Sequence, residues 1–278
     1  MVTYRHLLSE LSAGNSRRFI LILGPFSIAL ALFFVPLASR YAWADELPRA
    51  EDIIEKSIDA AGGRPNFKKI QNKIIILSGT GLGKSGKTAV YQERPDYYHA
   101  VLESDEGRIE FGSDGQTVWE FSQRRGAVIN KGKERADRLF DYAFDGLGFW
   151  RTFYKSVKTV AIDNVDGKPC YKVIFIPFEG TERTIYFEKE NFLAVKISVN
   201  IQILGPVWKA KLETFLSDYK KVDGLLVPHR SRVVLSGKEI LITTLESIKT
   251  NVDKKERFDL PSEIKQVLQK RQALSESN

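Results

Sequence analysis

Residues Val195–Ile203 read VKISVNIQI, in which apolar and polar side chains alternate. The period of two predicts an extended strand with one buried and one solvated face, as is typical of antiparallel sheets. The buried face would carry Val195, Ile197, Val199, Ile201 and Ile203. Lys196 and the other polar residues would face water. This stretch therefore indicates a mainly β fold.

The same period recurs along most of the chain. The segments predicted as strands are Lys73–Thr80, Lys87–Glu93, Tyr98–Glu103, Arg108–Gly112, Thr117–Ser122, Ala127–Lys131, Val157–Asn164, Pro169–Pro177, Glu182–Glu188, Leu193–Ile203, Trp208–Tyr219, Val227–Leu235 and Glu239–Thr250. Several are joined by Asp-Gly turns, which favour hairpins. Strands do not alternate with long helices, so a parallel sheet is not expected.

Helical spacing is confined to a few segments. We predict a helix over Ala50–Ile58, a turn over Pro65–Ile70, a helical region over Lys133–Tyr154 and a last helix over Ser262–Arg271, with residues 271–278 disordered. The region Lys133–Tyr154 has two interpretations, a helix that simply fills the core and an apolar lid over a concave sheet. The sequence does not decide between them.

Residues 1–44 have the pattern of an export signal. Arg17 and Arg18 precede an apolar run, and Ala42-Trp43-Ala44 matches a signal-peptidase site. Cleavage would leave one domain over residues 45–270, beginning with Asp45. The alternative is an uncleaved segment that anchors the protein in the membrane. Either way, we expect the bulk of the protein in the periplasm of a Gram-negative bacterium.

Residues Gly81–Thr88, GLGKSGKT, match the phosphate-loop pattern at every position. A phosphate loop must lead into a helix whose first amides bind the phosphates. Here Pro95 ends the following segment after seven residues, which is too short for such a helix. We therefore interpret the motif as a hairpin loop and predict no nucleotide ligand.

Composition excludes several classes of function. Residues 1–44 hold four basic residues and one acidic residue, so cleavage lowers the formal net charge from +7 to +4, too little for a nucleic-acid-binding protein. Cys170 is the only cysteine, so no internal disulfide forms. His99 and His229 have no partners at metal-ligand spacing. We predict no metal, no cofactor and no catalytic residue.

One alternative to this non-catalytic interpretation stays open. Glu188 and Glu190 lie two residues apart and, on one strand, would share a face. A pair of carboxylates is the machinery of glycoside hydrolases, although the distance between strands cannot be read from a sequence.

Large apolar residues are more numerous than a thin sheet-and-helix core requires. Curled sheets with an apolar interior hold hydrophobic ligands such as acyl chains. The residues predicted to line such a hollow are Tyr91, Phe111, Trp119, Phe121, Val195, Ile197, Val199 and Ile201. From the helical region, Phe140, Phe144 and Trp150 are predicted to form its lid. The alternative is that all of these side chains are ordinary core.

Several short motifs resemble the LolA/LolB superfamily and the outer-membrane lipoprotein-sorting proteins. They include Arg94-Pro95-Asp96-Tyr97 and the segment FGSDGQTVWEF of residues 111–121. Further matches in order are Val165–Val173, Ile185–Lys189, Asp218–Gly224, Leu226–His229 and Phe258–Pro261. Together they span most of the chain after residue 45.

The resemblance implies a strongly curved antiparallel half-barrel with helices over its concave face. It also implies a carrier that shields the acyl chains of a lipoprotein or lipid between donor and acceptor membrane proteins. Arg94 matches the arginine that holds the lid closed in such carriers. A second hypothesis is a periplasmic sensor domain of the same fold, anchored if the signal is uncleaved.

Overall fold

The computed structural model describes residues 46–202 and 209–276. The predicted signal segment, Ile203 and Trp208 lie outside the described residues. Within them, thirteen strands form one sheet. The strands are β1 (Asn72–Gly81), β2 (Lys84–Glu93), β3 (Tyr97–Ser104), β4 (Gly107–Asp114), β5 (Val118–Ser122), β6 (Gly126–Ile129), β7 (Tyr154–Val165), β8 (Lys168–Pro177), β9 (Arg183–Glu188), β10 (Ala194–Gln202), β11 (Lys209–Val222), β12 (Leu225–Leu235) and β13 (Lys238–Thr250).

The described helices are few and short. They are α1 (Ala50–Ala60), α2 (Gly63–Lys69), α3 (Gly132–Tyr142), α4 (Trp150–Phe153) and α5 (Ser262–Glu276), with 3₁₀ turns at Gly146–Phe149 and Lys254–Glu256. None of the helices in residues 46–202 and 209–276 has the length and apolarity needed to span a membrane. The prediction of disorder from residue 271 is wrong up to Glu276, because the backbone of α5 continues to that residue.

The sheet is antiparallel throughout, in the order β6-β5-β4-β3-β2-β1-β13-β12-β11-β10-β9-β8-β7. Neighbouring strands are consecutive in the chain except where β1 pairs with β13, while the consecutive strands β6 and β7 lie at opposite edges of the sheet. The chain thus forms two meanders, β1–β6 and β7–β13, joined side by side. Helices α3 and α4 lie in the connection between the meanders.

Contacts of α3 show how strongly the sheet curves. Strands β4 and β9 are third and eleventh in the order, so a flat sheet would separate them by roughly 38 Å. Helix α3 has 11 residues and is only about 16 Å long. Yet Tyr142, its last residue, stacks on Phe111 of β4 at 6.4 Å between ring centroids, and Asp141 forms an ion pair with Arg183 of β9. The sheet therefore curls around α3, which confirms the predicted half-barrel.

Strand register assigns each side chain to the concave face, which holds α3, or to the opposite, convex face. Residues paired directly across neighbouring strands share a face. One concave row crosses β8 to β13 and consists of Val173, Ile185, Ile197, Thr214, Val233 and Leu241. Helix α1 packs on the same face, where its Ile53 and Ile54 are fully buried against the core.

A β-bulge breaks the alternation predicted for Val195–Ile203. The register of β10 on β9 shifts between Ala194 and Lys196, so Val195 has no direct partner. Its side chain packs with Val165, Cys170 and Tyr186 on the convex face. The prediction that Val195 shares a face with Ile197 is therefore wrong, because one extra residue in a strand reverses the side-chain direction before it.

Lys196 also departs from its predicted solvated position. Its side chain is 11% exposed and forms an ion pair with Glu213. The ammonium nitrogen lies 4.0 Å from the ring centroid of Tyr186 and 5.5 Å from that of Phe215, both on the convex face. Aromatic rings and a carboxylate thus replace the water that the alternating pattern predicts around this lysine.

The phosphate-loop motif lies in a β-hairpin, as the sequence predicts. Gly81 pairs with Lys84 and Gly79 with Gly86, so the motif continues directly from β1 into β2. Leu82 and Gly83 form the turn, both with positive φ (50° and 78°), as a type I′ hairpin turn requires. No helix follows the motif, so its amides are not arranged to bind phosphate.

Candidate functional site

Residues 132–153, which comprise α3, the 3₁₀ turn and α4, form a helical segment over the concave face; we call it the lid segment. Tyr142 stacks face to face on Tyr98 of β3, with ring centroids 4.1 Å apart. On the opposite side, Asp137 and Asp141 bind Arg183 of β9. The lid segment is therefore attached to both meanders of the half-barrel.

Arg94, which directly follows β2, binds both the lid segment and α2. Its guanidinium binds Asp145 at two points, with Nη1–Oδ2 and Nη2–Oδ1 distances of 2.5 and 2.6 Å. Nε donates to the carbonyl of Ile70 and Nη2 to that of Phe67, both at 2.7 Å. The same group lies 4.5 Å from the ring centroid of Phe144. Arg94 thus connects the lid segment, α2 and the end of β2.

Lys73 of β1 contacts Phe144, another residue of the lid segment near Arg94. Its ammonium group donates to the carbonyl oxygen of Phe144 at 3.3 Å and lies 4.4 Å from the ring centroid of that residue. Burial lowers the pKa of Lys73, Asp145 opposes this shift and Arg94 adds to it, and the net result is a pKa of about 8. Phe144 is thereby held between two cations and the apolar side chains of Ile70 and Leu225.

The other predicted lid residues also lie against the concave face. The Phe140 ring stacks edge-on against Phe153 and Tyr154, at 5.5 and 5.0 Å between centroids. Trp150 packs edge-on against Phe175 of β8 at 6.4 Å. Both belong to the cluster that contains α1. The lid segment thus meets the sheet through apolar side chains as well as through its ion pairs.

Away from these clusters, the concave face offers apolar side chains that are only partly buried. They come from both meanders, on strands β1, β3, β10 and β13. Register places on this face Ile75, Leu77, Leu102, Ile201 and Leu241, and each remains partly exposed. Residues with this placement form the candidate binding surface.

The eight residues predicted to line one hollow are divided between the two faces. Phe111, Ile197, Val199 and Ile201 lie on the concave face, whereas Tyr91, Trp119, Phe121 and Val195 lie on the convex face. The prediction of a shared hollow is therefore wrong for the second group. In β4 and β5, Phe111 pairs with Glu120 and Gly112 with Trp119, so these two aromatic residues point in opposite directions.

The convex aromatic residues form a second core beneath the C-terminal segment. Phe258 packs against Tyr91 and His99, at centroid distances of 6.2 and 5.5 Å, and His99 packs edge-on against Trp119 at 5.0 Å. Gly112 leaves room for the indole, because a Cβ there would lie 2.5 Å from the Trp119 ring. The spacing of Tyr91 and Trp119 predicted that they are buried apolar residues. It gave no sign that they pack beneath the C-terminal segment.

His99 is part of a buried polar pair on this convex side. Its Nε2 lies 2.8 Å from Glu110 Oε2, and Arg108 donates to the other carboxylate oxygen at 2.9 Å. Burial alone would raise the pKa of Glu110, but these hydrogen bonds outweigh it and lower the pKa. In the part of the chain that the structure describes, no group of three potential metal ligands occurs.

Glu188 and Glu190 do not form the carboxylate pair that a hydrolase would need. Glu188 ends β9 and is buried in an ion pair with Lys168, 2.9 Å away. Glu190 lies in the following turn and is exposed. The prediction of two carboxylates on one strand is wrong, because β9 ends between them. Glu188 instead ties this turn to β8.

Sequence reasoning missed Lys73, Asp145 and Arg183, three charged residues that attach or flank the lid segment. Of the three, only Asp145 could have been recognised from the sequence, because it closely follows a helix that must be attached to the sheet. Lys73 and Arg183 lie in strands, where a basic residue is normally assigned to the solvated face. Their inward direction follows from register, which the sequence does not reveal.

Comparison with known proteins bears on the fold. No protein-family model matches the sequence, and no curated protein does. A LolA superfamily protein from Nitrosomonas europaea superposes with a TM-score of 0.50 at 13% identity, over 78% of this chain and 97% of that one. A domain assigned to outer-membrane lipoprotein sorting, from Vibrio parahaemolyticus, gives 0.49 at 9% identity, over 73% and 96%. The chain therefore has the fold of a LolA superfamily protein, and the resemblance is confirmed at that level.

Proposed function

We propose that this protein is a periplasmic carrier that binds the acyl chains of a lipoprotein or lipid on the concave face of its half-barrel. The partly exposed apolar side chains on the concave face of β1, β3, β10 and β13 carry this proposal. Apolar side chains that remain accessible inside a curled sheet are where an acyl chain loses contact with water. The lid segment, attached by Arg94 and Arg183, supplies the other wall.

Differential burial provides the driving force for binding. Each CH₂ removed from water contributes about 0.8 kcal/mol, so a sixteen-carbon chain offers roughly 10 kcal/mol before costs. Opening of the lid segment and lost freedom of the chain offset part of this gain. The carrier thus binds cargo firmly and still passes it from a donor to an acceptor protein at the membranes. No bond is made or broken, so the carrier needs no catalytic residue.

Export is part of the proposal. The motif Ala42-Trp43-Ala44 supports cleavage after residue 44, and residues 45–270 form the carrier domain. Its modest positive charge is compatible with brief contact with anionic headgroups, which basic residues attract only at short range.

The test begins with the full chain expressed in a Gram-negative host and purified from the periplasm. Native mass spectrometry and solvent extraction then identify the mature mass and any bound molecule. We expect a mass that begins at Asp45 and an acylated species released by the solvent. A ligand-free protein would contradict the carrier function. A retained signal segment would instead favour an anchored sensor domain of the same fold.

A further inference from the structure

The lid segment buries two hydrogen-bond donors that have no partner. Trp150 is 5% exposed and Arg183 is 4% exposed. Neither the indole Nε1 of Trp150 nor the Nε of Arg183 has a hydrogen-bond partner among the described residues. Buried polar groups in native proteins are nearly always hydrogen-bonded, because an unpaired donor loses its interaction with water and gains nothing.

These two donors lie at the same place on the concave face. Trp150 packs on Phe175, and Phe175 is the direct cross-strand partner of Arg183. The Arg183 guanidinium also lies 4.6 Å from the ring centroid of Phe140 in the lid segment. Both donors are therefore enclosed between the lid segment and the sheet. Val199 pairs with Arg183 across β10 and β9 and lies two residues from Ile201 of the candidate binding surface, on the same face.

We infer that Trp150 and Arg183 form a polar end of the binding site that recognises the carbonyl group of an acyl ester. When the lid segment moves to admit an acyl chain, the ester carbonyl accepts hydrogen bonds from these two donors. This inference rests on the proposed function and narrows it, because it selects acyl esters over plain hydrocarbon chains.

Neighbouring charges favour a neutral ester over a free carboxylate. The Nη1 atom of Arg183 already binds Asp141, and Nη2 donates to the carbonyl of Asp137 at 3.1 Å. The carboxylate of Asp137 lies 3.8 Å from the same nitrogen. The charge of Arg183 is thus already neutralised, and a third carboxylate would be repelled by the two aspartates.

Three single-chain probes separate these chemistries: methyl palmitate, palmitate, and methyl hexadecyl ether, which lacks a carbonyl. Their dissociation constants are measured on the purified full chain by displacement of a fluorescent apolar dye. We expect the wild type to bind methyl palmitate about 25-fold more tightly than the ether, the net effect of two hydrogen bonds worth about fivefold each. Palmitate should bind less tightly than methyl palmitate.

Trp150→Phe removes the N–H and keeps an aromatic ring, and should reduce the ester preference to about fivefold, because only the Arg183 donor remains. Trp119→Phe, the same substitution on the convex face, should keep the preference. Arg183→Lys removes the Nε–H but keeps the charge, and should also reduce the preference. Equal ester preference in Trp150→Phe and wild type, or tighter binding of palmitate than of the ester, would overturn the inference. If the wild type binds none of the probes, the carrier function itself fails.

Discussion

Arg94 and Asp145 join the end of β2 to the lid segment through a two-point ion pair, with nitrogen–oxygen distances of 2.5 and 2.6 Å. Arg94 is 21% exposed and Asp145 only 5%. The pair is thus shielded from water, and each partner leaves the other poorly solvated if it is removed. Together with the contacts of Arg183 to Asp137 and Asp141, this pair attaches the lid segment to the sheet.

Replacing Arg94 by methionine should loosen the lid segment. We expect a loss of about 2 kcal/mol in the free energy of unfolding, because Asp145 becomes an unpaired, largely buried charge. Hydrogen exchange measured by mass spectrometry should accelerate in residues 140–153 and stay unchanged in β8 and β9. Arg49→Met, which removes the exposed pair with Glu51, should cost less than about 1 kcal/mol. Unchanged exchange in the lid segment would contradict a closing role for Arg94.

The lowered pKa of Lys73 predicts a dependence of stability on alkaline pH. The folded protein holds this proton with a pKa of about 8, whereas the unfolded chain holds it near the usual value of 10.5. Between these values the unfolded state binds more protons, so the free energy of unfolding rises with pH. From pH 7 to 9.5, wild type should gain about 1 to 2 kcal/mol relative to Lys73→Met in urea unfolding. Parallel curves for the two proteins would show that Lys73 is not desolvated.

The lowered pKa of Glu110 predicts a loss of stability at acidic pH. Its pKa is lowered in the folded state, so its contribution is present above the unfolded value of 4.5 and is lost as the pH falls through the folded value. Glu110→Gln should lower the free energy of unfolding at pH 7 by about 1 to 3 kcal/mol, since His99 and Arg108 lose a charged acceptor.

The pH profile of the same variant provides the check. Between pH 6 and 3, the free energy of unfolding should fall less steeply for Glu110→Gln than for wild type in urea titrations. An equally steep fall in both proteins would exclude Glu110 as the titrating group. Glu103→Gln is a suitable control, because its pair with Arg108 is exposed on both sides.

The fold was largely predictable because strand periodicity and turns are local properties. The hairpin at Gly81–Lys84 follows from glycines and the proline after β2, and the curvature follows from the family resemblance. The end of α5 was not predictable, since the residues after Arg271 are polar and equally compatible with a helix or a disordered tail.

The candidate site was predicted less well, because it depends on which face each side chain takes. A single bulge before Lys196 moved Val195 to the convex face, and the period of two gives no sign of it. Trp119 and Phe111 are both aromatic and lie on adjacent strands. Only the strand register shows that Phe111 lies on the concave face and Trp119 on the convex face. The expectation of a closing role for Arg94 came from its motif and not from its spacing.

Thr243 and Thr244 allow the most direct test of acyl binding on the concave face. They are neighbours in β13, but Thr243 is partly buried on the concave face, paired with Gly79, whereas Thr244 is exposed on the convex face. Thr243→Trp should fill the space for an acyl chain and weaken binding of methyl palmitate at least tenfold. Thr244→Trp should bind it like the wild type. Equal affinities of the two variants, with both proteins folded, would contradict binding on the concave face.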